Sequence, residues 1–299
     1  MLFIFIVIKK FLIKIFILFN FLIINFLIIL KYDKIADLID TYDFPDKKLK
    51  LHKSKTPILG GLIILINYFV FVISSLFYEN SFLVSSKTNE IISIAFLVIG
   101  FFIVGFYDDR KKLSPLNKLF YLIIILLLGI LINENLIIEK ISITFFKNKI
   151  FFEIFSIPFS IFCIIILINA LNFFDGINGQ SCIFFLIVFS FLSIKSNFNI
   201  FYILNIFTIL FILFLNLKNK LFLGDGGIFL LTIVFSISII FEHRIGNIIY
   251  ADEIFFLLLL PGIDLIRLTL VRLYKGNNPF YGDRDHLHHL LMNKFSLFT

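Results

Sequence analysis

The chain of 299 residues has no tryptophan, only two cysteines, and charged side chains at only 16% of its positions. Cys163 and Cys182 lie at the ends of apolar runs, where they offer neither a disulfide framework nor a metal-ligand spacing. The first 30 residues lack a small-residue cleavage pattern and are long enough to stay in a membrane, so we expect no cleavable signal. We find no repeat of fixed period and no linker. These absences favour a single domain over residues 1–299.

Apolar residues dominate the chain, at 60% of its positions with a mean hydropathy of +1.03. Many of them form nearly uncharged runs of roughly 20 residues, the length that crosses a hydrocarbon core about 30 Å thick. The sequence therefore predicts an all-α polytopic integral membrane protein in a lipid bilayer. The nine predicted transmembrane helices are 11–30, 57–77, 91–107, 116–133, 157–171, 181–194, 198–216, 228–241 and 253–271.

Five polar clusters interrupt these apolar segments, at 55–61, 105–115, 169–180, 224–227 and 283–289. Two predicted spans separate each successive pair of clusters. All five must therefore emerge on the same side of the membrane, whichever way the protein is inserted.

The distribution of lysine and arginine predicts which side that is. The loops on the side of the clusters carry 18 of the 27 basic residues, the opposite loops carry six, and the N-terminal region carries three. Since basic residues concentrate in cytoplasmic loops, the clusters are expected to face the cytoplasm. This asymmetry also explains the net charge of +7 without a nucleic-acid partner.

Residues 136–155 differ from the other loops because isoleucine and phenylalanine alternate in part with polar side chains. The run Lys147-Asn148-Lys149 is a turn signal in the middle of this segment. We predict a small β-hairpin at the outer membrane interface, because open strand edges are not tolerated in contact with lipid.

The polar clusters contain the residue types needed for phosphoryl transfer. Carboxylates occur at Asp108, Asp109, Asp175 and Asp225, and hard carboxylate oxygens suit Mg²⁺, with Mn²⁺ as an alternative. Adjacent glycines let the backbone approach a ligand, and cationic side chains provide donors for phosphates. Taken alone, the Asp108-Asp109 pair would also fit a solvated loop, and the terminal histidines would fit an interfacial anchor. Only their joint occurrence favours an active site.

These clusters, in this order, resemble the polyprenyl-phosphate N-acetylhexosamine-1-phosphate transferases. Asp108-Asp109 is similar to the family's Asp-Asp motif, and Asn172 with Asp175 is similar to its Asn-x-x-Asp-Gly motif. Gly224-Asp225-x-Gly227 resembles its Gly-Asp loop. The terminal histidine loop of the family is matched by Arg284, His286, His288 and His289. The resemblance covers residues 31–291.

The resemblance implies that a polyprenyl phosphate, such as undecaprenyl phosphate, attacks a UDP-sugar to give a polyprenyl-diphospho-sugar and UMP. It implies the following roles. Asp225 is the first Mg²⁺ ligand, and Asp108 and Asp109 hold the metal or the acceptor phosphate. Asn172, Asp175 and Asn178 lie on the nucleotide side, while Lys55, Arg284, His286, His288 and His289 face the phosphates. The expected location is a bacterial inner membrane with the active site facing the cytoplasm; a homodimer is left open.

The chain departs from the family pattern at two positions of the site. Asn178 occupies a place where the family often has a second aspartate, and Ile228 a place where serine is common. The family usually has a further span after the histidine loop, so ten helices are the alternative to nine. The form of the histidine loop favours the branch that uses UDP-N-acetylhexosamines over the muramoyl-pentapeptide branch of peptidoglycan synthesis. A membrane transporter is the rival from another class, but it would place its ionisable residues in the middle of the spans.

The parity of the spans gives a testable topology. In a cysteine-free background, single cysteines introduced at Ser54, Ser114, Asn219 and Asn277 should react with a membrane-impermeant thiol reagent only from the cytoplasmic side. Labelling of the Ser54 and Asn219 positions from opposite sides would contradict a shared site.

Overall fold

The computed structural model describes residues 2–45, 55–76, 88–244 and 249–276, and these residues are mostly helical. The helices are α1 (Leu2–Ile39), α2 (Gly60–Leu76), α3 (Thr88–Lys111), α4 (Pro115–Ile132), α5 (Ser156–Phe174), α6 (Gln180–Lys195), α7 (Ile200–Leu217), α8 (Gly224–Arg244), α9 (Ala251–Leu257) and α10 (Leu259–Tyr274). The predicted polytopic helical membrane protein is confirmed.

Six of the described helices are long and apolar enough to cross a membrane, and α9 with α10 would make a seventh span. Helices α2 and α6 are shorter apolar helices. Each of the nine predicted segments coincides with one of these helices, except that the last is a pair bent by 66°. Proline explains the break, because Pro261 has no N–H to donate to the carbonyl of Leu257, the last residue of α9.

Helix α8 is the central helix of the bundle. Within its apolar window 89% of the residues are buried, and its most extensive packing partner is α3, followed by α2 and α5. Helices α1 and α4, in contrast, leave much of their apolar surface exposed, as expected for helices that face lipid. Polar groups between outer helices are paired, as the reciprocal amide hydrogen bonds of 2.9 Å between Asn25 of α1 and Asn67 of α2 show.

Glycines allow α2, α3 and α8 to approach each other at backbone distance. A Cβ atom at Gly61 of α2 would lie 2.6 Å from the backbone nitrogen of Gly227, and one at Gly105 of α3 would lie 2.5 Å from the carbonyl oxygen of Asp225. No side chain fits at either position. The first turn of α8 is therefore held directly against the backbones of its two neighbours.

Two helices extend further than their apolar runs predict. Helix α3 continues to Lys111 and includes Asp108 and Asp109 in its last turns, and α8 begins at Gly224, so Asp225 lies in its first turn. The predicted spans end at residue 107 and begin at residue 228, which places these residues just beyond the span ends. The helices continue past those bounds because the polar groups at the two helix ends bind each other, which hydropathy does not register.

The predicted hairpin is present as strands β3 (Lys140–Ile143) and β4 (Phe146–Phe151), which pair antiparallel; the shorter strands β1 (Tyr42–Asp43) and β2 (Thr56–Pro57) also pair. The predicted turn was misplaced, because the chain reverses at residues 144–145 and the run 147–149 lies in β4. Asp252 accepts hydrogen bonds from both the N–H and the hydroxyl of Thr144, which holds the turn there. The hairpin contacts the C-terminal end of α8, opposite to Asp225, through the N–H of Ser142 and the ring of His243.

The close approach of α2 and α8 predicts an unequal response of two glycines to the same substitution. Gly61→Ala should lower the free energy of unfolding by about 1–3 kcal/mol, because backbone must move to admit the methyl group. Gly262→Ala in α10 meets nothing within 4 Å and should be neutral or stabilising by up to about 1 kcal/mol. Thermal unfolding in detergent compares the two, and equal destabilisation would contradict the close packing.

Candidate active site

Two carboxylates and one lysine meet where α3 ends and where α4 and α8 begin. The ammonium group of Lys118, in the first turns of α4, forms ion pairs with Asp108 of α3 and with Asp225 of α8, at 3.1 Å in the second case. The side chains of Lys118, Asp108 and Asp225 are 16%, 9% and 30% exposed. The cluster is thus largely shielded from solvent, although Asp225 keeps an open side.

The short connection between α3 and α4 fixes the geometry of this cluster. Asp108 accepts a hydrogen bond of 2.6 Å from the N–H of Leu113, and Ser114 caps α4 by accepting from the N–H of Asn117. Pro115 is the first residue of α4, a position where its missing N–H costs nothing. These local signals turn the chain sharply and bring Lys118 back beside Asp108.

Asp109 contacts the start of α8 rather than Lys118. Its Oδ1 accepts a hydrogen bond of 2.8 Å from the N–H of Asp225, and its Oδ2 accepts one of 3.0 Å from the N–H of Gly226. The chain before α8 is held from the other side by the segment before α2, because Pro57 accepts from the N–H of Phe222 and the N–H of Gly60 donates to Phe222. The Gly-Asp segment is therefore fixed between two neighbouring elements.

The arrangement of Asp108 and Asp225 can accept a cation. Both carboxylates face the ammonium group of Lys118, so two acidic side chains share one positive charge. Among the described residues, no three His, Cys, Asp or Glu side chains form a metal site. Two carboxylates nevertheless fit Mg²⁺, which commonly takes one or two protein carboxylates and completes its shell with water and substrate phosphates.

The end of α5 carries the second predicted group of polar residues at the same end of the bundle. Asn172 lies half-buried in the last turn of α5, and Asp175 follows as the C-terminal cap. Asp175 exposes part of its surface, but protein atoms around its carboxyl group desolvate it and raise its pKa to about 6, an effect that the nearby Ser181 hydroxyl reduces. This carboxyl group can therefore hold a proton at mildly acidic pH. No hydrogen bond or ion pair within the described ranges joins it to the acid cluster.

Asparagine side chains connect the polar residues between α5 and α6 to the segment that precedes the acid cluster of α8. The side chain of Asn178 donates a hydrogen bond of 2.5 Å to the side-chain oxygen of Asn219. The backbone carbonyl of Asn219 accepts one of 3.4 Å from the hydroxyl of Thr56 in β2. Asn216 accepts from the N–H of Gly179 at 2.6 Å and donates to the carbonyl of Leu221. The loop before α6 is thereby tied to the chain that leads into α8.

The shared-face prediction is confirmed for four of the five clusters, those at 55–61, 105–115, 169–180 and 224–227. Lys55 lies exposed at this end, with its ammonium group 4.4 Å from the ring centre of Tyr42. The remaining predicted residues, Arg284, His286, His288 and His289, lie outside the described residues, and so does most of the lysine-rich run 47–55. Asp264 and Arg267, both in α10, form an ion pair at 2.8 Å.

Sequence reasoning missed Lys118 and Asn219. We counted Lys118 only among the loop charges, yet a lysine near the start of a helix opposes the helix dipole, and that conflict is a signal for a specific anionic partner. Asn219 adopts a left-handed backbone with φ of 54°, which asparagine tolerates better than most residues. Neither signal identifies the partners, because Asp225 lies 107 residues from Lys118 and Asn178 lies 41 residues from Asn219 in the sequence.

Comparison with known proteins gives one family and several relatives. The sequence profile of glycosyl transferase family 4 matches residues 91–242, from the start of α3 to the end of α8. The undecaprenyl-phosphate alpha-N-acetylglucosaminyl 1-phosphate transferase of Yersinia pestis is 26% identical over 275 residues, covering 87% of this chain and 71% of its own. A probable enzyme of the same description from Bacillus subtilis is 25% identical over 87% of this chain and 72% of its own. The phospho-N-acetylmuramoyl-pentapeptide-transferase of Staphylococcus saprophyticus is 28% identical over 75% of each chain.

The acid cluster predicts that Lys118 is required for stability. Lys118→Met would leave the carboxylates of Asp108 and Asp225 without their shared cation, and breaking such a buried pair costs about 3–5 kcal/mol. Lys195→Met is the matched control, since Lys195 is 32% exposed, twice as much as Lys118, and pairs among the described residues with Glu253 alone, and exposed pairs contribute about 0–1 kcal/mol. Unfolding in detergent without divalent cations measures both changes. Equal effects would show that the cluster does not need its lysine.

Proposed function

The chain belongs to glycosyl transferase family 4, and we propose on that basis that it transfers a sugar 1-phosphate from a UDP-sugar to a polyprenyl phosphate. The donor sugar is an N-acetylhexosamine, and the products are a polyprenyl-diphospho-sugar and UMP. The supporting relatives are named for undecaprenyl-phosphate N-acetylglucosaminyl 1-phosphate transfer and align over 87% of this chain.

One structural observation carries the proposal: Asp108, Lys118 and Asp225 meet at the N-terminal end of α8. The N–H groups of Asp225 and Gly226 are bound by Asp109, but the positive end of the α8 dipole still favours an anion such as a phosphate. Lysine adds a mobile positive charge. Carboxylates beside it would repel a phosphate unless a divalent cation bridges them, so the cluster fits a metal-bound diphosphate.

The reaction forms one P–O bond and breaks another. An oxygen of the polyprenyl phosphate attacks the β-phosphorus of the UDP-sugar, and the bond from that phosphorus to the bridging oxygen breaks, so UMP leaves with the bridging oxygen. A phosphate monoester is mostly dianionic near neutral pH, since its second pKa is about 6, and it needs no strong base. The work of the site is therefore to place the two phosphates and offset their charge.

Asp225 and Asp108 are the residues that would hold Mg²⁺, or Mn²⁺ in its place. Bound there, the ion supplies charge neutralisation for the diphosphate. In this structure the ammonium group of Lys118 binds the same two carboxylates that would hold the ion. In the proposal, this ammonium group moves from the carboxylates to a phosphate oxygen when the ion binds. Asp108 accepts from the N–H of Leu113 at one oxygen and contacts Lys118 with the other, which leaves it oriented toward Asp225.

The end of α5 provides the nucleotide side in this proposal. Asn172, Asp175 and Asn178 lie near the start of α6, with Asn178 already bonded to Asn219. An amide presents both a donor and an acceptor, whereas an ionised carboxylate only accepts, so Asn178 and Asp175 can read different edges of a uracil or sugar. Lys55, Arg284, His286, His288 and His289 complete the phosphate contacts in the proposal.

The location follows from the charge distribution and the relatives. The matched proteins come from bacteria, and 18 of the 27 basic residues lie on the predicted side of the polar clusters. We therefore place the protein in the inner membrane with its site facing the cytoplasm. A transporter is less consistent with the structure, because Asp108, Asp109 and Asp225 lie at helix ends at one end of the bundle.

Assays with two donor substrates distinguish between the activities for which the two kinds of relative are named. UMP release from UDP-N-acetylglucosamine with undecaprenyl phosphate supports the proposal, whereas activity confined to the muramoyl-pentapeptide nucleotide would assign the chain to the peptidoglycan branch. Wild-type protein that releases UMP from neither donor would contradict the proposed function.

The key substitution is Asp225→Asn, which keeps the shape of the side chain and removes its charge. We expect kcat for UMP release to fall at least about a hundredfold, as for other lost groups that stabilise transition-state charge. Asp252→Asn is the matched control, because Asp252 lies at the opposite end of the bundle and contacts Thr144. Near-normal turnover of a folded Asp225→Asn protein at saturating Mg²⁺ would rule out the assignment.

A further inference from the structure

We infer that Asp109 is a positioning residue that caps α8 from α3 and thereby places Asp225, rather than a residue that itself touches the metal or the phosphates. This inference rests on the proposed function and assigns different tasks to the two neighbouring aspartates.

The hydrogen bonds of Asp109 are those of a helix cap supplied by another helix. Its two carboxylate oxygens each accept from one of two consecutive N–H groups, those of Asp225 at 2.8 Å and Gly226 at 3.0 Å. The first N–H groups of a helix have no partner within that helix, and an acceptor for them stabilises it. The negative charge of Asp109 also lies at the positive end of the α8 dipole.

The backbone around this contact is shaped for it. Gly105 precedes Asp109 by one helical turn on the same face of α3, and a Cβ atom there would lie 2.7 Å from the Cα of Gly226. Gly224 has φ of 72°, and a Cβ atom there would lie 2.7 Å from Oδ2 of Asp109. Side chains at Gly105 or Gly224 would therefore push the carboxylate of Asp109 away from the N–H groups that it binds.

Asp108 differs from Asp109 in every one of these contacts. It binds the N–H of Leu113 and the ammonium group of Lys118, which also binds Asp225. Because Asp108 and Asp225 face each other across Lys118, they are the pair available to a ligand. Asp109 acts on that pair only by fixing the backbone from which Asp225 projects.

Substitution of Asp109 by asparagine and by alanine distinguishes a role as a hydrogen-bond acceptor for α8 from a role that depends on its charge. Asparagine keeps one of the two acceptor oxygens of aspartate and carries no charge, and alanine keeps neither oxygen. If Asp109 is a cap, Asp109→Asn should keep at least about a tenth of the wild-type kcat, and Asp109→Ala should lose at least about tenfold more, since each charge-assisted hydrogen bond counts about tenfold or more. If Asp109 acted through its charge on a metal or phosphate, both variants would be equally inactive.

Hydrogen exchange of the full-length protein in detergent gives a second readout that needs no activity. At single-residue resolution, the amides of Asp225 and Gly226 should exchange at least about tenfold faster in Asp109→Ala than in wild type, with Asp109→Asn between them. Asp108→Asn is the matched control and should leave these two amides within about twofold of wild type.

The inference is overturned by unchanged protection of the Asp225 and Gly226 amides in Asp109→Ala, or by equal loss of kcat in the Asn and Ala variants. If Asp109→Ala does not fold, the Asn variant still decides, because faster exchange with substantial activity supports a cap and unchanged exchange with no activity contradicts it. Failure of the proposed function would appear separately, as wild-type protein that releases no UMP while the exchange differences persist.

Discussion

The contact between the backbones of α3 and α8 is the constraint on which the rest of the site depends. Gly105 and Gly226 remove the side chains that would separate the two helices, and Gly61 does the same between α2 and α8. At this separation the end of one helix and the start of another become direct hydrogen-bonding partners. The C-terminal turns of α3 then supply the acceptors that the first turn of α8 needs. A membrane bundle tolerates such polar groups because they are bound to each other and lie at its edge.

This packing also explains how the charges of the site are balanced within the protein. Asp108, Lys118 and Asp225 come from three different helices, and each is at least two-thirds buried. In this environment the two carboxylates require a cation, and Lys118 provides one in the structure. A divalent cation with a diphosphate would supply the same balance with more charge on each side. In the proposed function this second set of ions would replace the first and offset the charge of the two phosphates.

The apolar runs were sufficient to predict the helices, and the parity of those runs was sufficient to predict that four described clusters share one end. The alternation of 136–155 predicted the hairpin as well, although Thr144 and Asp252 place its turn earlier than the Lys147–Lys149 signal did. Hydropathy failed at the ends of α3 and α8, because Asp109 and the amides of Asp225 and Gly226 satisfy each other only across the bundle. It also failed at Leu258, where Pro261 breaks a continuous apolar run. Lys118 was missed for the same reason, since its partners are set by packing and not by neighbouring sequence.

The central claim is that the acid cluster at the start of α8 binds a metal-bound diphosphate. Its most direct test is an experimental structure of the protein with Mn²⁺ and UDP-N-acetylglucosamine, with the metal located by anomalous scattering. The account predicts a peak about 2.1 Å from a carboxylate oxygen of Asp225, as in Mg²⁺ sites, with the diphosphate beside it and Lys118 on a phosphate oxygen. A nucleotide and metal bound elsewhere, with Lys118 still paired to Asp108 and Asp225, would contradict it.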